Sequence, residues 1–292
     1  LELTAAYAAI ANSGTYIKPK FYTKIVDHNG NVLLDNDISE SHTVIKETTA
    51  WLLTDAMKDV MTTGTGRAAY FGSSMAQAGK SGTTTSSRDA LFAGYTPYYT
   101  CAVWGGYDDN ATQKGQDTNY PKRIWKAVMG RLHEGLAYKD FEKPSDIVAV
   151  AVCKESGKLP IEGVCDHDPR GNCVITEYFA KGTEPTEYCD HHTVANICTA
   201  SGMLAGSYCP AETVAAGVYV IGGSPNTEDA PYLLTADFLA QTCNVHNESN
   251  STYTGAYAFP SLGINPASPN AGADSVPSDQ ETSTDGSGEQ PQ

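Results

Sequence analysis

Three stretches, Met75 to Thr85, Leu91 to Tyr95 and Tyr99 to Tyr107, follow one another with only short turns between them. The last, YYTCAVWGGYD, is rich in aromatic and strand-favouring residues, so each stretch reads as a strand. Strands joined this tightly pair antiparallel, because a parallel partner needs a crossover of about a dozen residues or more. Helical patterns surround them. LELTAAYAAIANSGTYIKP reads as an alanine-rich helix closed by Asn12, Ser13 and Gly14, residue types that end helices in the left-handed region. From Lys46 to Met61, Leu52, Leu53, Ala56, Met57, Val60 and Met61 recur at helical spacing. YPKRIWKAVMGRLHEGL predicts a further helix from Pro121, with Ile124, Trp125, Val128, Met129 and Leu132 on its apolar face. Between the first two helices, FYTKIVDHNGNVLL alternates about Asn29-Gly30, which predicts a hairpin of edge strands. The expected fold class is α+β, an antiparallel sheet covered by helices. Cys101, inside the last strand, is expected to be a small buried hydrophobe.

A chain of 292 residues, 40% of them hydrophobic, can bury a sizeable core. Its formal charge of −15, from 34 acidic against 19 basic residues, repels nucleic acid and anionic lipid, and neither is expected as a partner. No apolar run approaches the roughly 20 residues of a membrane helix, and no signal peptide opens the chain. It starts at Leu1, already in helical sequence, which leads to the expectation that it begins inside a larger protein and that any membrane anchor lies upstream.

At FEKPSDIV the character changes, placing a boundary near Lys143. The expected organisation is 1–143 as one folded part, 144–263 as a small cysteine-rich β-type extension, and 264–292 as a disordered acidic tail. The tail has five acidic residues and no basic ones, too little apolar surface to offset its ordering entropy. Within the extension, VAVAVCKESGKLPIEGVC and VANICTASGMLAGSYC share a Cys, a Ser-Gly pair, a Leu and a second Cys in nearly the same register, which indicates a duplicated strand-turn element. Of eight cysteines, seven lie between Cys153 and Cys243. Such crowding favours disulfides and an extracytoplasmic compartment. Free thiols are one alternative; a metal site around Cys189-Asp190-His191-His192 is another, disfavoured by the long spacings Cys153 to Cys165 and Cys198 to Cys209. No metal site and no cofactor is assigned, and His191 and His192 are read as exposed loop residues.

GKSGTTTSSRDALFAGYT, Gly79 to Thr96, carries the candidate chemistry. On a strand, Lys80 and Gly82 share one face while Ser81 and Thr83 share the other. A lysine beside hydroxyls can hold a carboxylate and move a proton during acyl transfer, and Gly82 would let a substrate backbone pair without a Cβ in the way. As four letters, Lys-Ser-Gly-Thr also describes an ordinary exposed edge strand.

The ordered series AYAAIANSGTYIKP, TDAMKDVMTTGTGRAA, AGKSGTT, DALFAGYTP, AVWGGYDD and RIWKAVM resembles the back half of the transpeptidase domain of penicillin-binding proteins, most nearly the bifunctional class A enzymes. The resemblance runs from Leu1 to about Leu136. CKESGKL and EYFAKGTEPTEYCDHH also look like the C-terminal extension of such proteins in Gram-positive bacteria. In that family Ser-x-x-Lys, Ser-x-Asn and Lys-Thr/Ser-Gly-Thr build the site. Only the third is here, as Lys80-Ser81-Gly82-Thr83; no serine is followed three residues on by lysine. Ser224-Pro225-Asn226 and Ser268-Pro269-Asn270 match Ser-x-Asn in loop-like sequence and are read as chance. The nucleophile is expected upstream of Leu1, after a glycosyltransferase region, and the chain alone is expected to be inactive.

The resemblance implies a peptidoglycan D,D-transpeptidase outside the cell membrane, acting on stem peptides that end in D-Ala-D-Ala and acylated by β-lactams. It implies that Lys80 assists proton transfer, that Ser81 and Thr83 hold the substrate carboxylate, and that Gly82, Thr83 and Thr84 border the substrate through the strand backbone. Asp89 is read as a turn residue beside this strand or a plain surface aspartate, Arg67 as structural or loop-positioning, and Trp104 and Tyr107 as core or cleft wall. A β-lactamase or penicillin sensor of related fold, and a module in which 144–263 binds wall polymer or a partner, are the alternative readings.

Overall fold

Glu2–Ala11 forms α1, and the chain leaves it through Ser13 and Gly14, both at positive φ. A Cβ on Gly14 would collide with the Ile45 carbonyl, so only glycine serves this turn. The computed structural model describes residues 1–113, 118–221, 223 and 227–250. Both Ser-x-Asn matches and the expected acidic tail lie outside the described residues. By packing, the chain divides into two units, Leu1–Val152 with Ile175–Glu187, and Cys153–Val174 with Tyr188 onward. The composition change at Lys143 precedes this division, because the strand that follows it packs with the first unit.

In the first unit, β1 (Thr15–Ile17) pairs with β4 (Ser41–Thr43) around an excursion formed by β2 (Lys24–Val26) and β3 (Val32–Asp35). The Asn29-Gly30 hairpin is present, with Gly30 at φ 85 and the Asp27 carboxylate accepting the Asn29 and Asn31 backbone N–H groups at 2.8 Å each. Among the described residues it edges no larger sheet: β2 and β3 pair with each other and are exposed throughout.

Helix α2 (Glu47–Thr62) leads to β5 (Ala78–Thr83), β6 (Asp89–Tyr95) and β7 (Thr100–Gly106), an antiparallel sheet in the order β5-β6-β7. Helix α3 (Tyr120–Leu132) follows, with Pro121 in its first turn. Central strand β6 sends successive side chains to opposite faces, and its two aromatic residues enter separate cores. Phe92 packs with Met61, Ala69, Trp125 and Met129, while Tyr95 packs with Met57, Ala78, Tyr7 and Ile10. A Cβ on Gly94 would lie 2.8 Å from the Ala78 carbonyl and 3.0 Å from the Trp125 ring, so glycine here lets α3 approach the sheet.

The buried helix stripes are narrower than the apolar periodicity predicts. On α2 the buried residues are Ala50, Thr54, Met57 and Met61, whereas Leu53 and Ala56 are exposed. Thr54 belongs to the stripe because its hydroxyl donates to the Ala50 carbonyl at 2.8 Å and shares a 2.7 Å bond with the Tyr95 phenol. On α3 only Pro121, Trp125 and Met129 are buried, and Ile124, Val128 and Leu132 are exposed. Cys101 is half-buried against the Phe92 core, its thiol pushed up by burial.

Beyond α3, β8 (Ile147–Cys153) pairs with β9 (Val174–Ala180), and β10 (His192–Cys198) pairs with β11 (Val214–Val220) before the short α4 (Ala236–Leu239). The two similar sequence segments have the same backbone wiring. The Cys153 N–H donates to the Lys158 carbonyl and Gly157 N–H to Cys153, each at 2.8 Å; Cys198 N–H donates to Met203 at 2.8 Å and Gly202 N–H to Cys198 at 2.7 Å. Gly157 and Gly202 both sit at positive φ, 69 and 71. The shared leucines match as well: Leu159 accepts from Cys189 N–H at 2.8 Å and Leu204 from Cys243 N–H at 2.7 Å.

Candidate functional site

Lys80, Ser81, Gly82 and Thr83 lie on β5, in register with Ala93, Phe92, Leu91 and Ala90 of β6. Among the described residues β6 is the sole sheet partner of β5, so the outer edge of this strand carries backbone groups free to pair with an added extended segment. The Lys80 side chain is exposed and its Nζ donates to the Ser81 carbonyl at 3.2 Å. A Cβ on Gly82 would meet only Leu91, at 3.5 Å and 3.7 Å, so the protein's own packing does not require glycine there.

Neighbouring segments support the strand. The Thr65 and Ser81 hydroxyls share a hydrogen bond of 2.9 Å, which places the TTGTGR loop against the motif. Thr65 was not singled out by the sequence, although it sits in one of the segments carrying the family resemblance. Thr84 donates its hydroxyl proton to Asp89 Oδ2 at 2.9 Å and accepts the Asp89 backbone N–H at 2.8 Å. The Trp104 indole donates to Asp89 Oδ1 at 2.9 Å. Asp89, the first residue of β6, therefore braces the turn beside the lysine strand, and Trp104 and Tyr107, 54% and 50% exposed, are surface rather than core side chains. Arg67 is exposed in a short 3-10 turn.

The turn after the motif is unusual in its backbone. Ser86 and Ser87 both adopt positive φ, 63 and 51, a conformation that costs a non-glycine residue about 1–3 kcal/mol. Buried Gln113 holds it: its amide N–H groups donate to the Arg88 carbonyl at 2.8 Å and the Gly105 carbonyl at 3.0 Å, its Oε1 accepts from the Tyr120 phenol at 2.9 Å, and its backbone N–H donates to Ser87 at 3.1 Å. A shallow depression of about 660 Å³ lies instead along α3, lined by Phe71, Arg123, Ala127 and Glu134 among others, and includes no residue of β5.

The second unit holds a different set of reactive groups. All eight cysteines are free thiols, which corrects the disulfide expectation. The physical reason is the grouping: sulfurs gather in threes with a histidine rather than in pairs. Cys153, Cys165, Cys189 and His192 are all buried, with their ligand-capable atoms within 4.8 Å of one another. Cys198, Cys209, Cys243 and His246 form a second group of the same kind. His192 is 2% exposed, and half-buried His191 stacks edge-on against it, so neither is the exposed loop residue the sequence suggested.

His192 Nδ1 faces Cys189 Sγ at 3.4 Å and Cys153 Sγ at 3.5 Å, while its Nε2 meets Asp168 Oδ2 at 2.7 Å. Two hydrogen bonds from the Arg170 guanidinium hold the Asp168 carboxyl well below the usual carboxylate range. Burial pushes the Cys165 thiol up. Burial also opposes ionisation of Cys189, but hydrogen bonds from Ser156 and from the His191 and His192 backbone outweigh it and draw that thiol down to about 7. At Cys243, hydrogen bonds from Ser201 and the His246 and Val245 backbone likewise outweigh burial and draw the thiol down to about 5.

Residues 1–130 match the family described as penicillin binding protein transpeptidase domain, and residues 143–194 match penicillin-binding protein 1A, C-terminal domain. The edge strand and its covered sheet are thus those of a penicillin-binding transpeptidase fold. The crystal structure of penicillin-binding protein 1A from Haemophilus influenzae superposes with a TM-score of 0.53 at 25% identity, covering 64% of this chain and 32% of that one. Penicillin-binding protein 1A from Clostridium perfringens is 39% identical over 195 residues, 67% of this chain and 23% of the relative. Penicillin-binding protein 1A/1B from Bacillus subtilis is 33% identical over 204 residues, 64% of this chain and 21% of the relative. The chain belongs to the penicillin-binding protein family, in agreement with the class A resemblance of its motifs. It spans about a quarter of the length of the curated relatives it matches, 23% and 26% for two clostridial ones. Among the described residues no helix is long and apolar enough to cross a membrane.

Proposed function

We propose that this chain forms the lysine-strand wall of a peptidoglycan D,D-transpeptidase site that crosslinks stem peptides outside the cell membrane and is acylated by β-lactams. The observation that carries the reading is the placement of Lys80-Ser81-Gly82-Thr83 on a sheet edge with no outer strand among the described residues, Lys80 exposed upon it. In this reaction a serine oxygen attacks the carbonyl between two terminal D-alanines, the D-alanine amine leaves with a proton, and an amine of a second stem displaces the serine. The chain holds no serine in Ser-x-x-Lys, so it supplies the wall and not the nucleophile. Lys80 serves proton transfer and attracts the substrate carboxylate, Ser81 and Thr83 donate hydrogen bonds to that carboxylate, and the backbone from Gly82 to Thr84 lies along the substrate. A β-lactam, which carries a carboxylate beside a strained amide, enters by the same contacts.

The test is a chimera in which residues 1–143 replace the aligned part of the Clostridium perfringens relative. Fluorescent penicillin is expected to label the chimera covalently, and Lys80→Ala to slow labelling by about 10²-fold or more, the usual scale of a lost proton-transfer group. The isolated chain should show no label that survives denaturation. Labelling of a folded chimera at an unchanged rate after Lys80→Ala would refute the proposal.

A further inference from the structure

The two Cys-Cys-Cys-His groups of the second unit play no part in acyl transfer, and their geometry points to another purpose. We propose that Cys153, Cys165, Cys189 and His192 bind one zinc ion and that Cys198, Cys209, Cys243 and His246 bind a second, each ion closing one copy of a duplicated fold. The proposal is independent of the transpeptidase reading.

Distances support a tetrahedral centre. Zinc sits about 2.3 Å from sulfur and about 2.0–2.1 Å from imidazole nitrogen, which at the tetrahedral angle puts nitrogen and sulfur roughly 3.5 Å apart. His192 Nδ1 lies 3.4 Å and 3.5 Å from two sulfurs of its group, and His246 Nδ1 lies 3.5 Å from both Cys198 Sγ and Cys243 Sγ. Both groups therefore present the same imidazole nitrogen to the same cysteine positions. In the first group the other nitrogen is committed: the Asp168 carboxylate accepts the Nε2 proton, which leaves the Nδ1 lone pair aimed at the sulfurs. Asp168 is itself fixed by Arg170, whose Nη1 also donates to Asp229 at 2.6 Å.

Backbone donors turn toward the sulfurs, as thiolate ligands require. Ile161 N–H donates to Cys165 Sγ at 3.3 Å and His191 N–H to Cys189 Sγ at 3.4 Å. Duplication extends to the ligand set, since Cys189 and Cys243 each precede their histidine by three positions and each donates its backbone N–H to the leucine of its own repeat. In the second group three thiols also argue against disulfides, which would strand one sulfur and leave His246 without a role. Three sulfurs and one nitrogen in a tetrahedron select zinc over calcium or magnesium, and four protein donors leave no open position, so the role is structural. Structural metal suits a unit in which one buried cluster is made of Cys153, Cys165, Cys173 and Cys189, with Ile161 and Val174 packed against it. Binding deprotonates the thiols and releases their protons to solvent.

The test is the zinc content of the purified full chain, measured by plasma mass spectrometry after refolding in Zn²⁺ and removal of excess metal. Two zinc ions per chain are expected, falling to one in Cys189→Ala, one in Cys243→Ala and none in the double variant. Cys173→Ala should retain two, because the Cys173 thiol gathers with His192 and Asp168, whose carboxylate already takes the His192 Nε2 side, and not with all four ligands of the first group. His192→Cys, which makes a four-sulfur site, should also retain two. A chelator should empty the second site first, since His246 and Cys243 are only half-buried whereas all four ligands of the first are buried. Cobalt substituted for zinc in the unmutated chain should give the thiolate charge-transfer bands of a tetrahedral site, a readout that needs no variant to fold. Fewer than one zinc per refolded chain, a disulfide joining any two of the six cysteines, or equal zinc loss in Cys173→Ala and Cys189→Ala would overturn the proposal.

Discussion

Trp125 offers the sharpest contrast between apolar periodicity and actual packing. It lies on the same predicted face of α3 as Leu132, yet Trp125 is 0% exposed and Leu132 is 49% exposed. The Trp125 ring meets Phe92 edge-on at 5.2 Å, and its indole N–H donates to the Cys101 carbonyl at 3.1 Å. Phe92 is in turn the register partner of Ser81, so this ring supports the lysine strand from behind. Truncation to alanine removes a fully buried aromatic side chain and its cavity does not collapse freely, a loss of about 3–5 kcal/mol. Leu132→Ala should cost within about 0.5 kcal/mol, the usual range for exposed sites. For a unit of this size each kcal/mol moves the midpoint by roughly 2–4 °C, so Trp125→Ala should lower Tm by roughly 6–20 °C and Leu132→Ala by no more than about 2 °C. Differential scanning calorimetry of the full chain would read both. Equal shifts for the two variants would refute the packing argument.

Gly94→Ala should destabilise by about 1–3 kcal/mol, because its Cβ would press on the Ala78 carbonyl and the Trp125 ring; calorimetry showing a neutral change would count against that close approach. Lys80→Ala should leave thermal stability within about 0.5 kcal/mol of the parent, as its ammonium is exposed and, among the described residues, bonds to the adjacent carbonyl, so a large loss of stability would assign it a structural rather than a functional role. Gln113→Ala removes the clamp on the Ser86–Ser87 turn and should raise amide hydrogen exchange from Thr84 to Arg88 at least about tenfold, with exchange in β8 unchanged; unaltered exchange at the turn would show that it holds itself. Tyr95→Phe should cost about 1 kcal/mol in the same calorimetric assay, since Thr54 keeps its bond to the Ala50 carbonyl; a loss beyond about 3 kcal/mol would mean that the phenol does more than bond to Thr54.

Much of this protein is readable without coordinates, where the signals are local. Short turns between Met75 and Tyr107 dictate an antiparallel meander; Asn29-Gly30 dictates a hairpin, and Lys80-Ser81-Gly82-Thr83 with its neighbouring segments identifies the family. The duplicated Cys, Ser-Gly, Leu, Cys pattern is likewise local, and the backbone repeats the bonds at its first cysteine, its glycine and its leucine. What the sequence leaves open depends on groups distant along the chain. Which of five apolar residues on α3 are buried is settled by where Phe92 and Gly94 let the helix approach. Whether seven crowded cysteines pair or cluster is settled by Cys189 and Cys243, which reach their partners through hydrogen bonds to Leu159 and Leu204. Spacing between the first two cysteines of each group disfavoured a metal site because the histidine and third cysteine arrive from another part of the chain. Residue types and local periodicity determine which elements form, while tertiary packing alone decides which side chains meet, because that depends on directions and distances no linear pattern contains.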